Sequence, residues 1–564
     1  MIEYRVSFSA PHRHFIQFEA TIPHDGSATL DLQLAAWRPG RYELGNFAKN
    51  IRAFKAMNAQ HELLSFKKIT KDLWRIDATS LQEITISYEY YGHELNAGSS
   101  YLDSEMLFLN PVNCFFYKSI AQETPYRISF DLPARYQIAT GLKKESTHVL
   151  HASGFDELAD CPLIASPSLE HLSYESSGIV FHIWIQGKIQ FQTERMLGDF
   201  KLFTDTHFSL YGDIPCKEYH FLFHFPPYFV RHGVEHRNST VIAMGPWTEF
   251  GGGSGYLDLL AISCHELFHT WNIKSIRPIE MQPYDFTKEN YSEMGYVAEG
   301  VTTFYGDELL HRSGLMSEDQ WHSTLAEAIQ EHMDNPGRHN ISVAQSSLET
   351  WLDGYGAGIP WRKVSIYNEG CLIAYICDAR IRQKTNQTKS LDDVMRRLYA
   401  EFGKTGLGYT RDDYKRLLEK EAGYSFTDIF DSLIEGTGDY LPFIIDALNF
   451  HGLELRAAAS PKFSEAFGGF GTDESSGKIL VSSIYPTGPA DQAGLWYGDE
   501  IVSVNGQTPY KNFQNLLKQS GQRVLLKVHR KNGVFETVFE PAENAVMLRY
   551  LVARKSSTTS STEG

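Results

Sequence analysis

Through the first 165 residues or so, apolar positions tend to recur at every second residue. Tyr4-Val6-Phe8, Phe15 to Ile22, Leu30-Leu32-Leu34 and Ile84-Ile86-Tyr88-Tyr90 alternate or are rich in β-branched side chains, with turn residues between them. That spacing predicts a sandwich-like β domain over residues 1–165. Trp37-Arg38-Pro39-Gly40-Arg41-Tyr42, turn-rich with aromatic anchors, reads as a corner of that sandwich. More strands follow, among them Ile179 to Ile185 and Tyr219 to Phe225, and then the period lengthens. Tyr256-Leu257-Asp258-Leu259-Leu260-Ala261-Ile262-Ser263-Cys264 contains neither Gly nor Pro and has helical periodicity. Capping boxes mark later helix starts: Ser317 with Gln320, Ser390 with Asp393, Thr410 with Asp413, and Ser425 with Asp428. A strand lobe followed by a helical lobe is expected over 166–454. A third section, 455–545, has its own glycine-rich pattern and a strand at Lys478 to Ser483. The remainder, 546–564, is expected to be a disordered tail, since 555–564 is polar and of low complexity. The class is multidomain α+β.

Composition narrows the function classes. A chain of 564 residues has room for three or four domains, and 42% hydrophobic with 13% aromatic residues excludes general disorder. A net charge of -17 without a basic block argues against nucleic acid and suits a substrate with a cationic group. No apolar run reaches the length of a membrane span, and the start, Met1-Ile2-Glu3-Tyr4-Arg5, does not read as a signal peptide, so no membrane insertion and a cytoplasmic location are expected. Six scattered cysteines without a CxxC pair point to reduced thiols.

The helix at 256–264 runs into His265-Glu266-Leu267-Phe268-His269. On a helix, positions i and i+4 share a face about 6 Å apart, so His265 and His269 can bind one metal while Glu266 faces its water. Glu299, in Tyr-Val-Ala-Glu-Gly, is the candidate third ligand. Three protein ligands with an open fourth position define a catalytic zinc site, with one Zn2+ per chain and bound water as nucleophile. Cys264 is turned about 100° from the histidine face, which makes it a packed thiol rather than a ligand. Gly251-Gly252-Gly253-Ser254-Gly255 is not followed by Lys-Ser or Lys-Thr, so it is not a P-loop and reads as a flexible wall of the cleft. No Gly-x-Ser-x-Gly elbow lies between a strand and a helix.

Phe467-Gly468-Gly469-Phe470-Gly471, Pro486 to Leu495, Gly498-Asp499-Glu500-Ile501 and Val504-Asn505-Gly506 resemble a PDZ domain. Such a domain takes a peptide or protein C-terminus as an added strand, with loop amides on the carboxylate. Gly468, Gly469, Phe470 and Gly471 are the candidate loop, and a groove that is empty or blocked is the competing reading. Together with Trp-Arg-Pro-Gly-Arg-Tyr at 37–42, His-Glu-Leu-Phe-His-Thr-Trp-Asn-Ile-Lys-Ser-Ile-Arg-Pro at 265–278 and Ala-Glu-Gly at 298–300, the chain resembles the glycyl aminopeptidase family of gluzincin metallopeptidases. The resemblance implies a β domain, a thermolysin-like catalytic domain and a PDZ domain, with peptides bearing a free N-terminus as substrates and Gly or Ala preferred as first residue. His232-Gly233-Val234-Glu235-His236 looks like the family segment whose glutamate receives the substrate's amine, which makes Gly233 and Glu235 substrate-binding candidates. His232 departs from the family's glycine, and could narrow the first pocket or shift the strand. Tyr367, in Ser-Ile-Tyr-Asn-Glu-Gly, resembles the family's oxyanion donor, with Tyr355 as the alternative; Glu369 stands where lysine is frequent. The competing functions are a zinc endopeptidase or dipeptidyl peptidase, and a catalytically inactive PDZ scaffold.

Overall fold

The computed structural model describes residues 1–250, 254–356, 358–510 and 512–555. Alternation in the N-terminal region builds a seven-stranded sheet whose centre is Tyr126–Phe130, Ile2–Ser7, Phe15–Pro23 and Glu83–Tyr91. It faces a four-stranded sheet around Thr29–Gln33 and Leu73–Asp77. Inward residues of the two interlock: Phe18 stacks on Tyr88 at 5.0 Å, Tyr88 meets Phe116 edge-on at 5.0 Å, and Trp74 meets Phe116 at 4.9 Å. Aromatic pairs of this geometry add about 0.5–1.5 kcal/mol each beyond area burial. A third sheet, including Leu107–Leu109, Gln137–Thr140 and Leu163–Ser166, turns its apolar side to the catalytic region.

The catalytic region opens with a five-stranded sheet in the order Glu170–Ser176, Ile179–Gly187, Glu218–Phe225, Ser239–Gly245, Val230–Glu235. The helix Thr193–Tyr211 makes the crossover between the parallel strands Ile179–Gly187 and Glu218–Phe225. The edge strand Val230–Glu235 runs antiparallel to Ser239–Gly245 in unbroken register through His232. Helices follow, beginning with Ser254–Phe268. The capping boxes at Ser317, Ser390 and Thr410 are formed as expected. The one at Ser425 is not: Asp428 binds Arg380 instead (2.5 and 2.9 Å), and the short helix Thr427–Ile429 has Phe426 at its N-cap with no side-chain cap hydrogen bond. All six cysteines are free. Among the described residues no helix is long and apolar enough to cross a membrane.

The PDZ region is a five-stranded sheet with its own core, including Phe470, Val481, Ile501, Leu517 and Val528. It is inserted between two strands, Leu453–Ala459 and Leu548–Arg554, which pair antiparallel. Residues 548–554 are therefore a strand and not part of a disordered tail. The helix Glu318–Asp334 holds it, with Gln330 Nε2 donating to Leu548 O (3.0 Å) and Tyr550 N–H donating to Gln330 Oε1 (2.9 Å). Residues 556–564, and Gly251–Gly253 of the glycine run, lie outside the described residues.

Candidate active site

The helix Ser254–Phe268 carries the motif, and the segment Tyr296–Val301, wound as a π-helix, carries Glu299. π-turns inside helices often mark functional positions. His269 Nε2 lies 3.1 Å from His265 Nε2 and 3.4 Å from Glu299 Oε2. Ligands held at about 2.0–2.2 Å by a tetrahedral ion are about 3.3–3.5 Å apart, so the three residues fit one cation. The tautomer also fits. His269 Nδ1–H donates to Asn272 O (3.0 Å), which leaves its Nε2 lone pair facing the other ligands. Cys264 is fully buried and outside this set.

Asn272, from the motif's continuation, ties the pieces together. Its Nδ2 donates to Val297 O (2.8 Å) and Thr302 Oγ1 (3.0 Å), and its own carbonyl receives His269. One buried residue thereby fixes the relative placement of His269 and the Glu299 segment. Asn272→Ala keeps the backbone carbonyl that receives His269 but removes the Nδ2 bonds to Val297 O and Thr302 Oγ1, so the Glu299 segment loosens; metal affinity is expected to fall about 10-fold, and competition with a chromophoric chelator measures it.

Two close approaches explain motif glycines. A Cβ on Gly300 would lie 2.2 Å from Gly370 Cα, so the Glu299 segment and the helix Ile366–Lys384 cross backbone to backbone. That crossing brings Tyr367, in the first turn of the second helix, to a ring distance of 6.4 Å from His265. A Cβ on Gly233 would lie 2.1 Å from Glu266 Oε1, so only glycine lets the edge strand pass the Glu266 carboxylate. Glu266 Oε2 is buried and has no hydrogen-bond partner among the described residues, an orphaned acceptor in a residue that lines the cleft. Burial, helped by Glu235 and Glu299 against the pull of His269, pushes the Glu266 carboxyl above the usual carboxylate range.

Glu235, at the end of the edge strand, has a carboxylate oxygen within 4.8 Å of both Glu266 and His269. A cavity of about 380 Å³ is lined by Gly233, Glu235, His265, Glu266, His269, Glu299 and Tyr367, so all the catalytic, metal and amine-binding candidates meet in one cleft. The alternative tyrosine is present too, with Tyr355 OH 3.2 Å from Tyr367 OH. His232 also lines the cleft, its Nε2 3.4 Å from the Arg38 guanidinium, and burial beside Arg38 and Arg41 pushes it down to about 3, keeping it neutral.

The segment 37–42 is not a mere sandwich corner. Tyr42 OH donates to Glu299 Oε1 (3.0 Å), and Gly40, at φ +80°, presses its backbone against the Glu235 carboxylate. Arg38 is buried beside His232. A second join lies behind Glu235: Asp160, partly buried, accepts from His236 Nδ1 (3.2 Å), Arg237 N–H (3.1 Å) and Lys274 Nζ (2.7 Å). The N-terminal domain therefore forms one wall of the site. The turn-and-aromatic pattern at 37–42 was visible in the sequence, but its partners are some two hundred residues or more away.

In the PDZ region, Gly468 N–H donates to Phe463 O (3.2 Å), Gly469 N–H to Glu465 O (3.3 Å) and Gly471 N–H to Ser483 Oγ (3.2 Å). These loop amides are engaged within the domain. The strand Phe470–Asp473 is the sheet's edge.

Comparison with known proteins agrees with this geometry. Residues 3–167 match the family model of the peptidase M61 N-terminal domain, 258–373 that of M61 glycyl aminopeptidase, and 480–530 that of the PDZ domain. An aminopeptidase N family protein from Idiomarina loihiensis has a similar crystal structure, with TM-score 0.90, 25% identity and 98% of each chain covered. An M1 zinc metallopeptidase from Deinococcus radiodurans, crystallised with a Tyr-Ser-Ala substrate, shares the fold at TM-score 0.50 and 12% identity, over 78% of this chain and 94% of its own. No curated protein matches by sequence. Fold and family models together define a metallopeptidase of the aminopeptidase class. Over residues 3–167 and 258–373 the chain matches the models of the M61 glycyl aminopeptidase family, and over 480–530 that of a PDZ domain.

Proposed function

We propose that this protein is a zinc-dependent aminopeptidase that removes the first residue from peptides with a free N-terminus, with Gly and Ala preferred. One Zn2+ would be held by His265, His269 and Glu299. When bound, it lowers the pKa of water to about 7 and polarises the scissile carbonyl. Glu266 accepts the proton of the attacking water at its unpartnered oxygen and passes it to the leaving amine. Tyr367 donates to the developing oxyanion, and Tyr355, 3.2 Å away, orients its phenol. Tyr42 holds the outer oxygen of Glu299. The observation that carries the exopeptidase reading is Glu235, fixed within 4.8 Å of Glu266 and His269, where its carboxylate can take the α-ammonium one residue from the scissile bond. Arg38, His232 and Gly40 crowd that end of the cleft, which supports a small first residue.

Mass-spectrometric product analysis of paired free and N-acetylated peptides, with varied first residues and with or without a zinc chelator, tests the proposal. Chelator-sensitive release of single residues from free peptides alone is the expected result; internal cuts in acetylated peptides would make the protein an endopeptidase. Tyr367→Phe is expected to lower kcat about 10²–10³-fold with KM little changed, and Tyr355→Phe to have the smaller effect. A larger loss from Tyr355→Phe would transfer the donor role to it. We further propose that a peptide C-terminus adds to the PDZ edge strand Phe470–Asp473. Carboxylate capture by Gly468 and Gly469 would first require release of their internal bonds.

A further inference from the structure

Strand parity gives the catalytic sheet two chemically different faces. In Glu218–Phe225 the odd positions meet the helices: the Phe200 ring is 5.0 Å from Phe221 and 6.0 Å from Phe223, and the Tyr219 phenol reaches Glu266 O at 3.5 Å. The even positions face the N-terminal domain, where Leu222 packs with Phe108 and Ile164. On that second face three adjacent strands bring His171, His182 and His220 side by side. His182 and His220 are direct partners in the parallel register, and their rings stack at 4.7 Å and 16°. Glu218, two residues before His220, serves both: its Oε1 is 3.4 Å from His220 Nε2 and its Oε2 is 3.7 Å from His182 Nε2.

These spacings, 3.4 and 3.7 Å, lie near the roughly 3.3–3.5 Å that a tetrahedral ion imposes on its ligands, and the three side chains place one ligand atom each within 4.8 Å of the others. The His182 nitrogens are suitably disposed. His182 Nδ1 lies 3.0 Å from His171 Nε2, which leaves His182 Nε2 toward the carboxylate. His220 Nε2 is buried, with the Glu218 carboxylate as its polar neighbour. The Glu218 side chain is 50% exposed, which leaves a path for an ion from solvent.

We propose that His182, His220 and Glu218 form a second metal site, on the sheet face opposite the catalytic helix, which takes a divalent transition ion that favours imidazole, such as zinc, cobalt or nickel. Occupancy has a structural consequence. Trp184 Nε1–H now donates to His220 Nδ1 (3.2 Å); coordination through Nε2 puts the proton on Nδ1, so this bond breaks and the indole turns. Trp184, stacked on His171 at 3.9 Å, is therefore a reporter of the ion. Lys144, whose charge reaches Glu218, opposes it.

The test is titration of the full-length chain with Co2+, followed by visible absorption and tryptophan fluorescence, with bound metal counted by mass spectrometry after dialysis. The wild type is expected to hold one equivalent more than Glu218→Ala or His182→Ala, both of which keep the wild-type peptidase rate. The fluorescence change accompanying that equivalent is expected to vanish in Trp184→Phe, and Lys144→Met is expected to bind Co2+ severalfold more tightly. Equal metal content in the wild type and both site variants overturns the proposal. Because the result is a difference, it holds whatever the catalytic site contains; if the wild type bound only one ion and Glu218→Ala none, this site would stand and the catalytic zinc would fall.

Discussion

Glu266→Gln is expected to retain its metal and lose about 10²–10⁴-fold in kcat, the range over which a positioned general base contributes. The change is isosteric, so the tight passage of Gly233 beside the carboxylate is preserved and the three ligand residues are untouched. What is lost is the acceptor. Glu266 Oε2 is buried with no protein partner, and an amide in its place cannot take a proton from water or return it to the leaving amine. Steady-state rates with metal content measured on the same sample separate the two effects. A near wild-type rate at full metal content would remove Glu266 from the mechanism, whereas loss of metal would show that its charge helps to hold the ion.

Glu235→Ala is expected to reduce kcat/KM on free-amine peptides about 10–100-fold, the worth of a hydrogen bond to a charged group of about 1.5–3 kcal/mol. The carboxylate sits within 4.8 Å of Glu266 and His269 and against the Gly40 backbone, so an ammonium bound there would have a fixed distance to the reacting carbonyl. Removing it both weakens binding and frees the substrate to slide, which costs productive orientation. N-acetylated peptides never make the contact. Their slow hydrolysis, if measurable, is expected to be unchanged, and equal losses on both peptide classes would contradict the anchor role.

Short-range information in the sequence determined a good deal of this protein. Alternation placed the strands around Ile2–Ser7, Phe15–Pro23 and Glu83–Tyr91, and helical periodicity placed Ser254–Phe268 under the motif. The i, i+4 spacing of His265 and His269 and three of the four capping boxes follow from interactions within one helical turn, which the local order of residues specifies. Tertiary structure decided the rest. Asp428 left its cap for Arg380, 48 positions away, because an ion pair with two short contacts was available there. Residues 548–554 became a strand because Leu453–Ala459 offered an edge and Gln330 two hydrogen bonds, partners that no local pattern contains. Arg38, Gly40 and Tyr42 became a wall of the active site through contacts such as Tyr42 to Glu299, 257 positions apart. A contact of that kind depends on how two separately folded layers meet. Periodicity and capping describe each layer and carry no information about the other.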